Sequence, residues 1–404
     1  MAVGQTDFPN MPPISGIQIG TTNAGIKQTV RDDLLIFQFS ETATCAAVFT
    51  QNAFCAAPVV LARENLLQSP RWLLINSGNA NAGTGEQGMV DARQTCDDLV
   101  QITGGKMQQV LPFSTGVIGQ SLPVEKIKNA LPKAVSNLAE NNWENAARAI
   151  MTTDTFPKGV SKEISLNGET ITINGISKGA GMIQPNMATM LSFIATDAKI
   201  SQPLLQQCLS NATELSFNRI TVDGDTSTND ACVLMASGCS NAPQILAGSE
   251  NHTLFSAAIL DVAKALAELI VRDGEGATKL MRIVVSEASS DAEAVQVAKT
   301  IAHSPLVKTA FFASDPNWGR ILAAVGRAGV VEMELEKIRI YLDDVCIVRD
   351  GGRADDYTEE AGQAVMNQAE IQIGVKLGRG AFSQTVLTCD FSYDYVKINA
   401  EYRT

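Results

Sequence analysis

The spacing of apolar positions changes period several times along the chain, and each change marks an element. Over residues 34–61 and 72–75, runs of Val, Leu, Ile and Phe broken by small residues predict strands. Residues 90–102 and 123–150 switch to helical spacing. In the second stretch Ile127, Leu131, Ala134 and Leu138 share a face, followed by Ala146 and Ile150. Apolar residues alternate on both sides of Asn167-Gly168, so 164–173 reads as a hairpin closed by a two-residue turn. A β-prone run at 190–196 precedes two more amphipathic helices, 204–216 and 255–271. The latter keeps Phe255, Ile259, Val262, Leu266, Leu269 and Ile270 on one broad face and stops at Asp273-Gly274. Beyond it the pattern predicts a strand at 281–287, a helix at 291–303, strands within 338–348 and a last alternating strand at 386–393.

Strand blocks interleave with helices without a regular β-α-β repeat, which favours an α+β layered fold. The alternation restarts after the loop of Gly274 and Gly276. A boundary near residue 280 is therefore expected, with a larger domain of 1–280 and a smaller α+β domain of 281–404. A chain of 404 residues is long enough for two or three sizeable cores.

Composition narrows the class. The chain is 45% hydrophobic and 18% charged, as globular proteins are. A net charge of −12 argues against nucleic acid or an anionic membrane as partner. Anionic small substrates stay open, because a site needs only a few local cations. No apolar run reaches a spanning length of roughly 18 residues, and residues 1–13 lack the basic start and apolar stretch of a signal peptide. No membrane partner and a cytoplasmic location are expected. Eight cysteines lack any C-x-x-C spacing, the nearest pair being Cys232 and Cys239, so most are expected to be reduced and buried. Only two histidines exist, His252 and His303, and His303 reads as a helix C-terminus before Ser304-Pro305. A histidine triad or a multi-histidine metal site would have to use them, and no bound metal or cofactor is expected.

Residues 178–191, Lys-Gly-Ala-Gly-Met-Ile-Gln-Pro-Asn-Met-Ala-Thr-Met-Leu, carry the most chemical information. Gly179, Gly181 and Pro185-Asn186 lead through a loop into Ala188-Thr189, at the mouth of the 190–196 strand. This position fits a nucleophile that first attacks its own chain, Thr189 Oγ on the carbonyl of Ala188. Hydrolysis of the resulting ester would free the Thr189 α-amine, which can then serve as base for its own hydroxyl. Against this stands the ordinary reading of a β-branched residue opening a strand. A second element, Pro112-Phe113-Ser114-Thr115-Gly116-Val117-Ile118-Gly119, sets a hydroxyl beside an unhindered glycine N–H, although Ser-Thr-Gly alone is a common turn. Gly83-Thr84-Gly85-Glu86-Gln87-Gly88 fits G-x-G-x-x-G, yet it does not come directly off a strand and reads as a loop. The oxygen-rich run 223–230 lacks the central glycine of a calcium loop, having Thr228 in its place.

The 178–191 run resembles the self-cleavage segment of the ornithine acetyltransferase (glutamate N-acetyltransferase) family of the arginine pathway. The similarity extends from Asn76-Ser77-Gly78-Asn79-Ala80-Asn81-Ala82-Gly83 to the last residues, 399–404. The resemblance implies cleavage between Ala188 and Thr189 into an α chain (1–188) and a β chain (189–404), with Thr189 as catalytic nucleophile. It implies an oxyanion hole at Thr115 and Gly116, and substrate contacts from Thr152, Lys178, Thr189, Glu275, Asn399 and Thr404. For Asn399 and Thr404 to take part, the tail must fold back into the site. The expected fold is a layered α/β/β/α sandwich of the self-processing N-terminal-nucleophile type, with helices outside its sheets. The expected reaction passes acetyl from N2-acetyl-L-ornithine to L-glutamate, with acetyl-CoA as a further donor substrate. Two α and two β chains are expected to associate. A self-cleaving aminopeptidase or amidase with the same threonine is the enzyme alternative. A nucleotide-binding protein using Gly83–Gly88 is the non-catalytic one.

Overall fold

Strands with apolar residues on both faces must be covered on both sides, and that requirement sets the layers here. The computed structural model describes residues 3–4, 7–27, 31–184 and 190–401. In chain order the first half runs β1 (Ile17–Thr22), β2 (Leu34–Phe39), β3 (Thr44–Phe49), α1 (Ala57–Asn65), β4 (Trp72–Asn79), α2 (Gly85–Thr103), β5 (Val110–Val117), α3 (Val124–Ser136), α4 (Trp143–Ile150), β6 (Lys158–Leu166) and β7 (Glu169–Lys178). The second half follows with β8 (Leu191–Thr196), α5 (Gln202–Glu214), β9 (Ala231–Ala236), α6 (Glu250–Arg272), β10 (Leu280–Ala288), α7 (Asp291–Ala302), α8 (Pro305–Phe312) and α9 (Trp318–Gly326). It ends with β11 (Arg339–Leu342), β12 (Val345–Arg349), β13 (Gly352–Arg353), α10 (Glu359–Met366), β14 (Glu370–Lys376), β15 (Phe382–Cys389) and α11 (Tyr393–Ala400).

Two sheets stack face to face, one in the order β1-β2-β4-β5 and one in the order β3-β9-β8-β7-β6. Period-two burial assigns every side chain to a layer. In β2, Leu35, Phe37 and Phe39 point between the sheets, where Phe37 meets Trp143 of α4 and Phe193 of β8. Leu34 and Ile36 point the other way, against Leu131 of α3 and Leu99 of α2. On the second sheet Phe193 and Val233 face inward, while Ile194 and Leu234 pack under Leu205 of α5 and Ile259 of α6. The result is the α/β/β/α sandwich. A third sheet, β13-β12-β11-β14-β10-β15, has its own core beneath α7 and α9, with Ile283, Ile373 and Val297 at its centre.

Local chemistry explains most boundaries. The β6–β7 hairpin turns at Asn167 and Gly168, both in left-handed conformation (φ 54° and 87°), as a two-residue turn between twisted strands requires. His303 caps α7, and Ser304 starts α8 by accepting the Val307 N–H. Four expectations need correction. The stretch 123–150 is not one helix but α3 and α4, parted at 137–142, where the Ala139 backbone pairs with Ile19 of β1. The apolar run 34–61 does not stay extended: Ala57–Asn65 is helical, with Pro58 in its first turn, where a missing N–H costs nothing. Gly85 to Gly88 belong to the first turn of α2, so that helix starts five residues before the predicted 90. The last strand stops at Cys389 instead of 393, and Tyr393–Ala400 forms a helix without a single buried residue. All eight cysteines are free, and five of them are buried. No helix among the described residues is long and apolar enough to cross a membrane.

Candidate active site

One cavity of about 290 Å³ opens where the C-terminal ends of β4, β5 and β7 meet the loops before β9 and after α6. Its wall includes Thr115, Gly116, Thr152, Lys178, Glu275 and Asn399. These six come from five separate regions of sequence, and the fold brings them together. Ala188, Thr189 and Thr404 lie outside the described residues.

Thr115 and Gly116 sit at the end of β5, where the parallel partner β4 places Ser77 and Gly78 opposite. Gly116 adopts φ 134°, and a Cβ there would fall 2.3 Å from the carbonyl carbon of Gly78. Only glycine fits, which leaves the backbone at the cavity wall unshielded by a side chain. Asn229 fastens this corner by donating from Nδ2 to the carbonyls of Ala80 (2.6 Å) and Ser114 (3.0 Å).

The cationic side is built around a buried ion network. Lys158 Nζ lies 2.6 Å from both Asp154 Oδ1 and Asp273 Oδ2, with all three side chains inaccessible to water. Asp154 also accepts the N–H of Thr152 (2.9 Å) and of Gly179 (2.8 Å), so one carboxylate fixes both the loop after α4 and the start of the 179–184 loop. Burial works against its charge, but Lys158 and Lys178 outweigh that and hold its carboxyl far below the usual range. Lys178 is half-buried at the end of β7 and donates to Thr152 Oγ1 (3.3 Å). Desolvation lowers its ammonium from the ordinary lysine value, against the pull of Asp154 and Asp230.

Glu275 faces this cation across the cavity. Its Oε2 accepts from Asn399 Nδ2 (2.8 Å), which ties α11 to the site, and the Thr153 hydroxyl also donates to it. Burial, opposed by those two donors, pushes its carboxyl above the ordinary glutamate value. A Cβ on Gly181 would come within 2.4 Å of that carboxyl, so a side chain there would displace Glu275 from its present position. If ionised Glu275 binds a substrate amine, affinity should fall as pH drops through this raised pKa. The expected outcome is a Michaelis constant for an amine-bearing substrate that rises from pH 7 to pH 5. In Glu275→Gln it should be high and nearly flat over the same range, read from steady-state rates at each pH.

The loop before Pro185 is held on every side. Ala180 O accepts from Glu275 N (2.8 Å). Asp223 takes the N–H of Met182 on Oδ2 (2.6 Å) and of Ile183 on Oδ1 (2.9 Å). Ile183 O in turn accepts from Val222 N (2.7 Å) and Thr221 Oγ1 (2.9 Å). On the far side of the 185–189 segment, Met190 O accepts from Ala231 N (3.0 Å). Sequence reasoning missed Asp154 and Asp223. The oxygen-rich run 223–230 was the signal for the last, since an Asp before Gly often caps nearby backbone N–H groups. No cluster of His, Cys, Asp and Glu suited to a metal exists among the described residues, and neither histidine lines the cavity. Burial lowers His303 to a pKa of about 4, so it is neutral at physiological pH.

A family model described as the ArgJ family matches residues 18–404. The chain belongs to the ArgJ family. It is 61% identical over 392 residues to the arginine biosynthesis bifunctional protein ArgJ of Methylococcus capsulatus, covering 97% of this chain and 96% of that one. The protein of the same name from Pseudomonas syringae pv. tomato is 54% identical over the full length of both chains. Among solved structures, the arginine biosynthesis bifunctional protein ArgJ of Bacillus halodurans is 43% identical with a TM-score of 0.51. It is matched over 100% of its chain by 53% of this one. The cavity described above therefore lies in a chain aligned almost end to end with the Methylococcus and Pseudomonas proteins.

Proposed function

We propose that this ArgJ-family protein moves an acetyl group from N2-acetyl-L-ornithine to L-glutamate through an acetyl ester on Thr189. The protein is an acyltransferase of arginine biosynthesis, and the amidase alternative is not favoured. The observation that carries the fuller reading is the single cavity where Thr115 and Gly116, Lys178, and the Glu275–Asn399 pair converge. An oxyanion site, a cation for an α-carboxylate and a carboxylate for an amine are what acyl transfer between two amino acids needs.

In this mechanism the chain first cuts itself before Thr189. The freed α-amine takes the proton of Thr189 Oγ as the oxygen attacks the acetyl carbonyl. The oxyanion is held by the Thr115 hydroxyl and the Gly116 N–H. When the C–N bond breaks, the same proton leaves with ornithine. Glutamate then enters the same pocket, its α-carboxylate on Lys178, and the steps reverse to give N-acetyl-L-glutamate. Acetyl-CoA, not a resident cofactor but a substrate, can acetylate the same hydroxyl. Two α and two β chains assemble, and the enzyme works in the cytoplasm. The separate β chain would hold 216 of 404 residues.

The test is kinetic order combined with mass. Acetylornithine alone should add one acetyl to the β chain and none to the α chain, and double-reciprocal plots should be parallel. Intersecting plots with an unmodified β chain would mean direct transfer in a ternary complex, and the covalent role of Thr189 would be wrong.

A further inference from the structure

The base that serves acetyl transfer does not exist before the chain is cut. In the uncut chain the Thr189 nitrogen is a peptide nitrogen, whose lone pair is delocalised into the carbonyl and accepts no proton near neutral pH. Self-cleavage must therefore draw on another group, one able to take the Oγ proton and to return it to the departing nitrogen.

Three carboxyl or amine side chains line the cavity among the described residues: Lys178, Asp230 and Glu275. Lys178 is engaged with Thr152 Oγ1, and Glu275 with Asn399 and Thr153. Asp230 differs. It is 4% exposed, and its Oδ2 has no hydrogen-bond partner among the described residues. Ser227 supplies a hydroxyl and a backbone N–H to the carboxyl, and Thr50 N donates to the Asp230 backbone carbonyl (2.9 Å), so the residue is held in place. The next residue, Ala231, donates its N–H to the carbonyl of Met190, the residue that follows Thr189 (3.0 Å). The unpartnered oxygen thus belongs to the residue that leads into β9, the strand paired with β8, on the wall that also carries Thr115 and Gly116.

We infer that Asp230 is the acid–base group of the self-cleavage step, an inference that rests on the reading of Thr189 as the self-cleaving nucleophile. The Asp230 carboxylate accepts the Oγ proton as the Oγ–C bond to the Ala188 carbonyl forms. When the Ala188–Thr189 C–N bond breaks, that proton passes from Asp230 to the Thr189 nitrogen. An ester on Oγ and a free amine result, with Asp230 ionised again. Water then hydrolyses the ester, leaving the Ala188 carboxylate and the Thr189 hydroxyl. Burial pushes the Asp230 carboxyl well above the ordinary aspartate range, with Lys178 pulling the other way, which makes it a stronger base than an exposed aspartate.

Processing of freshly made full-length chain is followed on denaturing gels for wild type, Asp230→Asn and Asp230→Ala. Loss of a general acid–base group typically slows a step about 100- to 10,000-fold. Both variants should persist as single chains with a cooperative melt, and added formate should speed splitting of Asp230→Ala by filling the vacated space. Splitting of either variant at the wild-type rate would overturn the inference. So would slow splitting of Asp230→Ala that formate leaves unchanged, which would make the residue structural. If Asp230→Asn does not fold, the formate response of Asp230→Ala decides alone, and its absence counts against the inference. A wild-type chain that never splits would instead overturn the self-cleavage reading itself.

Discussion

Thr189→Ala should be purified as one intact chain of 43.0 kDa with no measurable acetyl transfer. One atom, Oγ, is asked to cut the chain and then to carry the acetyl group, so its removal stops both reactions at once. Loss of a covalent nucleophile in a hydrolase costs on the order of a million-fold in turnover. Thr189→Ser keeps a hydroxyl and should still yield two chains, more slowly. Intact mass and N-terminal sequencing check both variants. Two chains from Thr189→Ala would remove Thr189 from the cleavage chemistry.

What the sequence made legible followed the range over which its signals act. Strands such as β2 and β8 were readable because apolar residues on both faces leave an unbroken run, and the β6–β7 hairpin because Asn167-Gly168 specifies its own turn. Helix α11 was not readable: it buries no residue, so no 3.6-residue stripe exists to be seen. Helix α1 was absorbed into the preceding strand signal because Val59, Val60 and Leu61 suit either element until tertiary packing decides. At the site, Thr115-Gly116 and Lys178 stand in recognisable local motifs, and the structure places them on one cavity wall. Asp154 and Asp223 act at a distance. Asp223 holds backbone N–H groups about 40 residues earlier in the chain, and Asp154 takes the N–H of Gly179, 25 residues later. Such partners are set by topology, and no window of sequence contains both ends.

Thr115→Ala should lower turnover about 100- to 1000-fold while the Michaelis constants for acetylornithine and glutamate change little. The reason lies in when the contact forms. A neutral acetyl carbonyl gains little from one more hydroxyl donor, whereas the oxyanion of the tetrahedral intermediate carries nearly a full charge. An interaction that strengthens only there appears in kcat. The fold should tolerate the change, because β5 pairs with β4 through its backbone and Thr115 is a small residue at the strand's end. Thr115→Ser restores the hydroxyl and should recover most of the activity, which separates loss of the donor from loss of packing. Maturation should slow along with transfer, since the first oxyanion arises on the chain's own Ala188 carbonyl in the same hole. Pulse-chase of the precursor and steady-state kinetics of the mature fraction measure the two effects separately. A raised Michaelis constant at unchanged turnover would reassign Thr115 to ground-state binding, leaving the Gly116 N–H as the donor that the oxyanion meets.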